Sequence, residues 1–528
     1  MTNYQFTGGT ICAPATIPGT GAISIIRVSG KESLAIADKV IDTKGVPIAE
    51  TEGYRLRYGT VFEADGSVLD NVIVSVFRAP HSYTGENSVE ISCHASRFIV
   101  NKILELLVNA GARIAAPGEF TRRAFVNGKM DLAQAEAVAD VIASQSAASH
   151  RVAMNQLKGG FSSELKVLRE KLLTMTSLLE LELDFSEEDV EFASRKELGQ
   201  LVDDSLTHIR RLTASFSRGN AIKNGVPVAI VGATNTGKST LLNALLGEER
   251  AIVSDIAGTT RDTIEETLNI DGILFRFIDT AGIRETDETI EKIGIDRTFK
   301  KLGEAAVVLG MTDLSRGEAA VLEDADFILS KVNEMGGVKN VGLAIDGAET
   351  GGVSQHGHGD GQERKVVILV NKCDVAGDFY RDDNGTGYGS GNDLGENKAE
   401  IGDNKNVNHD NNIVSLIENK YDNCKVIPIS AKTGKGLSTL TKTLGEIGSE
   451  ITGSTDETLV TNVRHYEALV RAASALERVR AGLHIATLPP DLIAQDLREA
   501  LYHLGEIVGE ISTDETLGNI FRNFCIGK

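Results

Sequence analysis

One octapeptide constrains this chain more than any other feature: Gly232-Ala233-Thr234-Asn235-Thr236-Gly237-Lys238-Ser239, placed directly after the apolar run Val226 to Val231. A short unbroken apolar run reads as a buried strand. Glycines at its end let successive backbone N–H groups turn inward, and the helix that follows starts with its positive dipole end towards them. The pattern is a P-loop, with Lys238 set to reach the β- and γ-phosphates of a nucleotide and Ser239 to ligate Mg²⁺. The surrounding region, about 223–450, reads as an α/β unit.

Further elements follow in a fixed order. Gly258-Thr259-Thr260-Arg261-Asp262 supplies Thr260, a threonine able to complete a Mg²⁺ shell. Asp279-Thr280-Ala281-Gly282 follows an apolar run, so that Asp279 stands at a strand end to hold a Mg²⁺ water and Gly282 can hydrogen-bond a γ-phosphate. Asn371-Lys372-Cys373-Asp374 follows the strand Val366 to Val370; the Asp374 carboxylate can accept from both N–H groups on the edge of guanine, which adenine does not offer. Ser430-Ala431-Lys432 is then expected to present the Ala431 N–H to the guanine oxygen. The order selects GTP over ATP. The residue after Gly282 is Ile283, whose side chain cannot orient a water, so catalysis needs another water-orienting group and another positive charge near the bridging oxygen.

The rest of the chain is organised around this unit. At 528 residues it exceeds one compact core, and three domains of ordinary size are expected. Residues 1–130 alternate β-rich runs (Ala22 to Val28, Tyr54 to Phe62, Val72 to Phe77, Val89 to Cys93) with turn signals and one amphipathic helix, about Phe98 to Val108: an α+β domain. In 131–222 the period changes, and Leu165, Leu168, Leu172, Met175 and Leu179 form one apolar helical stripe. Its candidate partners lie only near the other end, in 451–528: Tyr466, Leu469, Ala473 and Leu476, then Leu497, Leu501, Leu504 and Ile511. The expectation is one α-helical domain into which the P-loop unit is inserted. Stretches near 339–363 and 378–412 are low in complexity and read as surface insertions; His356, His358 and Asp360 there read as a solvated loop.

Composition narrows the function classes. No apolar run is long enough to cross a bilayer, and no basic segment followed by an apolar stretch opens the chain, so no membrane and a cytoplasmic location are expected. The five cysteines lack the spacing of a zinc site or disulfide scaffold. A net charge of −21 disfavours unaided capture of nucleic acid; a local basic patch or a partner subunit must supply attraction to phosphate.

Asn235 in the P-loop, Gly258 to Asp262, Asp279 to Arg284 and the terminal Phe524-Cys525-Ile526-Gly527-Lys528 together resemble the MnmE (TrmE) family, and the resemblance covers nearly the whole chain. It implies a GTP site of Asn235, Thr236, Gly237, Lys238, Ser239, Thr240, Ser254, Asp255, Ile256, Ala257, Gly258, Thr259, Thr260, Asp279, Thr280, Ala281, Gly282, Asn371, Lys372, Asp374, Ser430, Ala431 and Lys432. Mg²⁺ would rest on Ser239 and Thr260. K⁺, standing in for an arginine finger when two G domains meet, would rest on Asn235, Ser254, Ile256 and Thr259. Glu291 would orient the water, with Asn235, Lys238 and Arg261 assisting.

The same resemblance implies a tetrahydrofolate-binding and dimerising N-terminal domain. Arg27, Glu86, Lys129 and Lys528 would hold a 5-formyl- or methylene-tetrahydrofolate; Arg and Lys suit its carboxylates, and Glu86 suits paired pterin donors. Cys525 would lie near that pocket as a candidate catalytic thiol; its prenylation reading fails because Gly527 is not aliphatic and no polybasic stretch precedes it. The implied partners are a second copy, a flavin- and NADH-dependent MnmG-type subunit completing a heterotetramer, and tRNA reached mainly through that subunit. A ribosome-assembly GTPase would share the G motifs but should carry an RNA-binding module or basic tail. The family's G domain is more compact than this one, and Gly310-Met311-Thr312-Asp313 departs from its usual apolar strand ending in Asp.

Overall fold

The computed structural model describes residues 8–184, 195–249, 266–278, 305–334, 364–375, 413–421, 424–453, 457–485, 489–511, 514–522, 524 and 527. The chain divides into two compact units, one of Met1–Ser144, His150–Phe216 and Thr458–Lys528, the other of Gln145–Ser149 and Ser217–Glu457. The low-complexity stretches near 339–363 and 378–412, with His356, His358 and Asp360, lie outside the described residues. Among the described residues no helix is long and apolar enough to cross a membrane.

The first unit begins with a seven-stranded sheet in the order β3-β4-β5-β6-β2-β1-β7. Its strands are β1 Ile11–Pro14, β2 Ile23–Ser29, β3 Ile41–Asp42, β4 Arg55–Phe62, β5 Val68–Phe77, β6 Ser88–His94 and β7 Arg113–Ile114. β-Branched residues alternate along β2, β5 and β6, so Ile26, Val28, Val72, Val74, Val76, Val89 and Ile91 share one face and pack against the helices Ser33–Val40 and Arg97–Asn109. On the opposite face Ile11 and Ala13 pack with Tyr83 and with Phe120 of the helix Glu119–Val126. Further along that face Tyr58 and Ile73, paired across β4 and β5, stay 65% and 48% exposed, with Leu56 beside them.

Where one helix was expected in residues 1–130, three α-helices form among the described residues. Ser33–Val40 and Glu119–Val126 are eight residues each, too few turns for an apolar period to declare itself.

The stripe Leu165, Leu168, Leu172, Met175 and Leu179 runs along the helix Gly160–Asp184 and is buried. It meets Leu469, Leu476, Leu497, Leu501 and Leu504 of the helices Val463–Leu483 and Pro490–Val508 in one core. Partners were expected only from that end of the chain; the nearby helix Arg195–Ala214 adds Leu198, Val202, Leu206, Ile209 and Leu212. Tyr466 and Ala473 sit at the margin, and Ile511 lies beyond its helix, exposed.

In the second unit six strands take the order β13-β12-β11-β8-β10-β9, with every neighbouring pair parallel except β9 and β10. They are β8 Val226–Gly232, β9 Glu266–Ile270, β10 Ile273–Ile278, β11 Val307–Asp313, β12 Lys365–Asn371 and β13 Lys425–Pro428. The helices Lys238–Glu249 and Leu437–Thr452 cover one face, and Glu318–Glu334 and Ile413–Lys420 the other. Central parallel strands need apolar residues on both faces, which explains their unbroken Val/Ile/Leu runs. β11 is buried throughout and does end on an aspartate, Asp313, so the departure at Gly310 to Asp313 leaves the strand intact. In such a sheet the carboxyl ends of the strands form the ligand edge.

Candidate functional site

At that edge β8 turns through Gly232 into Ala233 to Gly237 and then into the helix Lys238–Glu249. Asn235 sits exposed in the loop with φ +60. Gly237 has φ +99, and a Cβ there would lie 2.5 Å from Asn371 Nδ2, so only glycine lets the neighbouring loop approach. Thr236 Oγ1 donates to the Ala233 carbonyl at 2.9 Å. Lys238 Nζ donates to the carbonyls of Gly232 and Ala233 at 2.9 and 2.8 Å, inside the loop's own concavity. Burial holds its ammonium below the ordinary lysine range. Those carbonyls are weak partners that anionic phosphate oxygens can replace.

Two more strand ends complete the edge. Asn371, 2% exposed at the end of β12, donates from Nδ2 to the Thr236 carbonyl at 2.7 Å and accepts at Oδ1 from the Ala431 N–H at 3.0 Å. The sequence placed that N–H against guanine; the structure gives it to Asn371, whose buried amide requires partners at both ends. Ser430 is buried, with its N–H donating to the Lys435 carbonyl at 2.9 Å and its Oγ accepting from the Thr433 N–H at 3.2 Å. Asp374 and Lys432 are exposed. Lys372 adopts φ +65 and places Nζ 2.6 Å from Asp313 Oδ2. Burial raises the Asp313 carboxyl, but hydrogen bonds from Lys372 and Ser315 outweigh it and hold the group below the usual carboxylate range. Asp313 was missed as a partner of this site; its position at the close of an apolar run was the available signal.

In the first unit, Arg27 on β2 binds Glu90 on β6 through Nε at 2.9 Å and Nη2 at 2.8 Å, lies over the rings of Tyr83 and Phe120, and donates from Nη1 to the Gly527 carbonyl at 3.4 Å. The chain end is therefore brought to Arg27. Glu86 accepts from Arg123 Nη1 at 3.2 and 3.0 Å and from Ser29 Oγ at 2.9 Å. Lys129 is exposed and donates to the Pro80 carbonyl at 3.1 Å. Glu90 and Arg123 were not anticipated, because cross-strand register and helix docking, not local sequence, bring them here. Cys12, Cys93, Cys373 and Cys424 are buried free thiols, each pushed up to about 11 by burial.

Ser254, Asp255, Ile256, Ala257, Gly258, Thr259, Thr260, Arg261, Asp279, Thr280, Ala281, Gly282, Glu291, Cys525 and Lys528 lie outside the described residues.

A mainly parallel sheet carrying a P-loop after β8, an Asn-Lys-X-Asp turn after β12 and a Ser-Ala-Lys turn after β13 defines a P-loop GTPase. Residues 10–129 match the family model for the GTP-binding protein TrmE N-terminus, and residues 132–525 match that for the MnmE helical domain. A Parabacteroides distasonis protein named tRNA modification GTPase MnmE is 47% identical over 98% of this chain and 100% of its own length. Proteins of the same name from Bacteroides thetaiotaomicron and Flavobacterium johnsoniae are each 46% identical over 98% of this chain and 99% of theirs. The chain belongs to the MnmE family.

Proposed function

We propose that this GTPase acts in tRNA modification by a K⁺-assisted hydrolysis of GTP, and that its homodimer joins a flavin- and NADH-dependent MnmG-type subunit to add an aminomethyl or carboxymethylaminomethyl group to the wobble uridine. The observation that carries the nucleotide part is the Asn371 amide, which joins the P-loop to the Ser-Ala-Lys turn and so gathers phosphate and base elements on one sheet edge.

Ser239 in the first turn of its helix and Asn235 in the loop offer hard oxygen donors, the kind that suit Mg²⁺ and K⁺. With Thr260 for Mg²⁺, and Ser254, Ile256 and Thr259 for K⁺, they would hold both ions. The cations would supply positive charge where negative charge develops during phosphoryl transfer. Lys238 neutralises phosphate oxygens, Arg261 lends further charge, Glu291 orients the water in place of the absent glutamine, and Asp374 selects guanine.

Glu86 keeps 27% of its side chain exposed and Arg27 keeps 17%, so both have an outward side for a reduced folate with paired N–H donors and carboxylates. Lys129, Lys528 and Cys525 would complete that pocket. The folate supplies the one-carbon unit when bound; GTP hydrolysis reorganises the complex. The exposed Leu56, Tyr58 and Ile73 face supports the homodimer, since an apolar patch of this kind seeks cover. A basic partner subunit would offset the net charge of −21 towards tRNA.

The testing experiment is GTP hydrolysis in K⁺ against Na⁺, for the wild type and Asn235→Ala. K⁺-selective stimulation that the variant loses supports the cation-assisted mechanism; equal rates in both salts refute it.

A further inference from the structure

We propose that Arg123 is the positioning residue of the folate pocket: it acts through Glu86, fixing that carboxylate so that Oε1 keeps one acceptor direction for an N–H donor of a 2-amino-pyrimidinone ring. The inference rests on the assignment of Glu86 to a reduced folate and deepens it. Arg123 lies on the helix Glu119–Val126 and its side chain is only 3% exposed, whereas Glu86 is 27% exposed. A ligand approaching from solvent meets Glu86, and the guanidinium sits behind.

The geometry fixes the carboxylate from the protein side. Arg123 Nη1 is shared between Glu86 Oε1 and Oε2 at 3.2 and 3.0 Å, and Ser29 Oγ donates to Oε2 at 2.9 Å. Ser29 is itself buried and hydrogen-bonded to Thr84 Oγ1 at 2.7 Å. An ionised carboxylate has about four acceptor directions, and these three contacts leave one, on Oε1, for a ligand's N–H. Arg123 is anchored in turn: Nη2 donates to Glu119 Oε1 at 3.0 Å and to the Gly9 carbonyl at 2.9 Å. Arg113 Nη1 and Nη2 hold Glu119 from the other side at 2.8 and 2.5 Å. Arg123 therefore bridges two carboxylates. Without it, Glu86 would lose its cation beside a buried Glu119 and could rotate away from the direction in which it meets a ligand.

The test is a double-mutant cycle on the full-length protein, read as the affinity for 5-formyl-tetrahydrofolate by isothermal titration, with a melting curve for each variant. Glu86→Gln is expected to weaken binding about tenfold. Arg123→Gln should weaken it to a similar degree, and the double variant should bind no more weakly than Glu86→Gln alone. Multiplicative losses in the double variant would make Arg123 a structural residue only and overturn the inference, leaving the folate assignment standing. Undiminished binding by Glu86→Gln would overturn both. Where Arg123→Gln does not fold, Ser29→Ala, which removes one donor to the same oxygen, takes its place in the cycle with the same criterion: coupling to Glu86→Gln supports the fixed-carboxylate pocket, and independence refutes it.

Discussion

Asn371 donates from Nδ2 to the Thr236 carbonyl at 2.7 Å while its Oδ1 accepts from the Ala431 N–H, so one buried amide holds the P-loop against the Ser-Ala-Lys turn. Asn371→Ala leaves a buried carbonyl and a buried N–H without partners, each a cost of about 1–3 kcal/mol. GDP and GTP affinities are both expected to fall about tenfold to hundredfold, measured by titration with a fluorescent nucleotide, while Asn371→Asp should restore only the contact made by Oδ1.

Lys238 already lies inside the phosphate loop, bonded to the Gly232 and Ala233 carbonyls. Lys238→Ala removes charge that matters most as the transition state forms, so kcat for GTP should drop about hundredfold or more. Single-turnover hydrolysis at saturating nucleotide separates this from weakened binding; an unchanged single-turnover rate would remove Lys238 from the chemistry.

The P-loop, the Asn-Lys-X-Asp turn and the Ser-Ala-Lys turn were legible because each is a contiguous run directly after an apolar strand, and the P-loop also carries its own glycines. Asp313 with Lys372, Arg27 with Glu90 and Arg123 with Glu86 were not. The last pair stands 37 residues apart and meets only because the helix Glu119–Val126 packs on β1 beside the loop that carries Glu86. The helical stripe was legible from Leu165 to Leu179, but the share of its cover taken by Arg195–Ala214 depended on how the chain turns back. Amphipathic spacing reveals a face and says nothing of which neighbour fills it.

Glu136, on the helix Leu132–Ala143, is held by Arg464 at 3.0 and 2.9 Å and lies 2.6 Å from His465 Nε2. Burial raises its carboxyl, yet His465 and Arg464 outweigh this and bring it down to about 2. A carboxylate depressed in the folded state stabilises above its unfolded value, and that contribution is lost as pH falls through the folded one. The stability gap between wild type and Glu136→Gln should therefore be about 3 kcal/mol near neutral pH. It should close as pH falls from about 4.5 towards 2, read as converging calorimetric melting temperatures.

Gly118 has φ +67, and a Cβ there would lie 2.7 Å from the Phe521 carbonyl and 3.0 Å from Phe524 Cβ. Gly118→Ala should loosen the helix Asp514–Arg522 from the helix Glu119–Val126, and with it the chain end that Arg27 meets at Gly527. Faster limited proteolysis near the C-terminus and weaker binding of reduced folate are the expected results, with GTP hydrolysis unchanged.

Mass spectrometry of wobble nucleosides in tRNA from a deletion strain carrying the wild-type gene, Lys238→Ala or no copy decides whether this GTPase acts in tRNA modification. Aminomethyl- and carboxymethylaminomethyl-uridines are expected with the wild type and expected to be absent from the other two. Normal levels of these nucleosides in the strain without a copy would contradict that role.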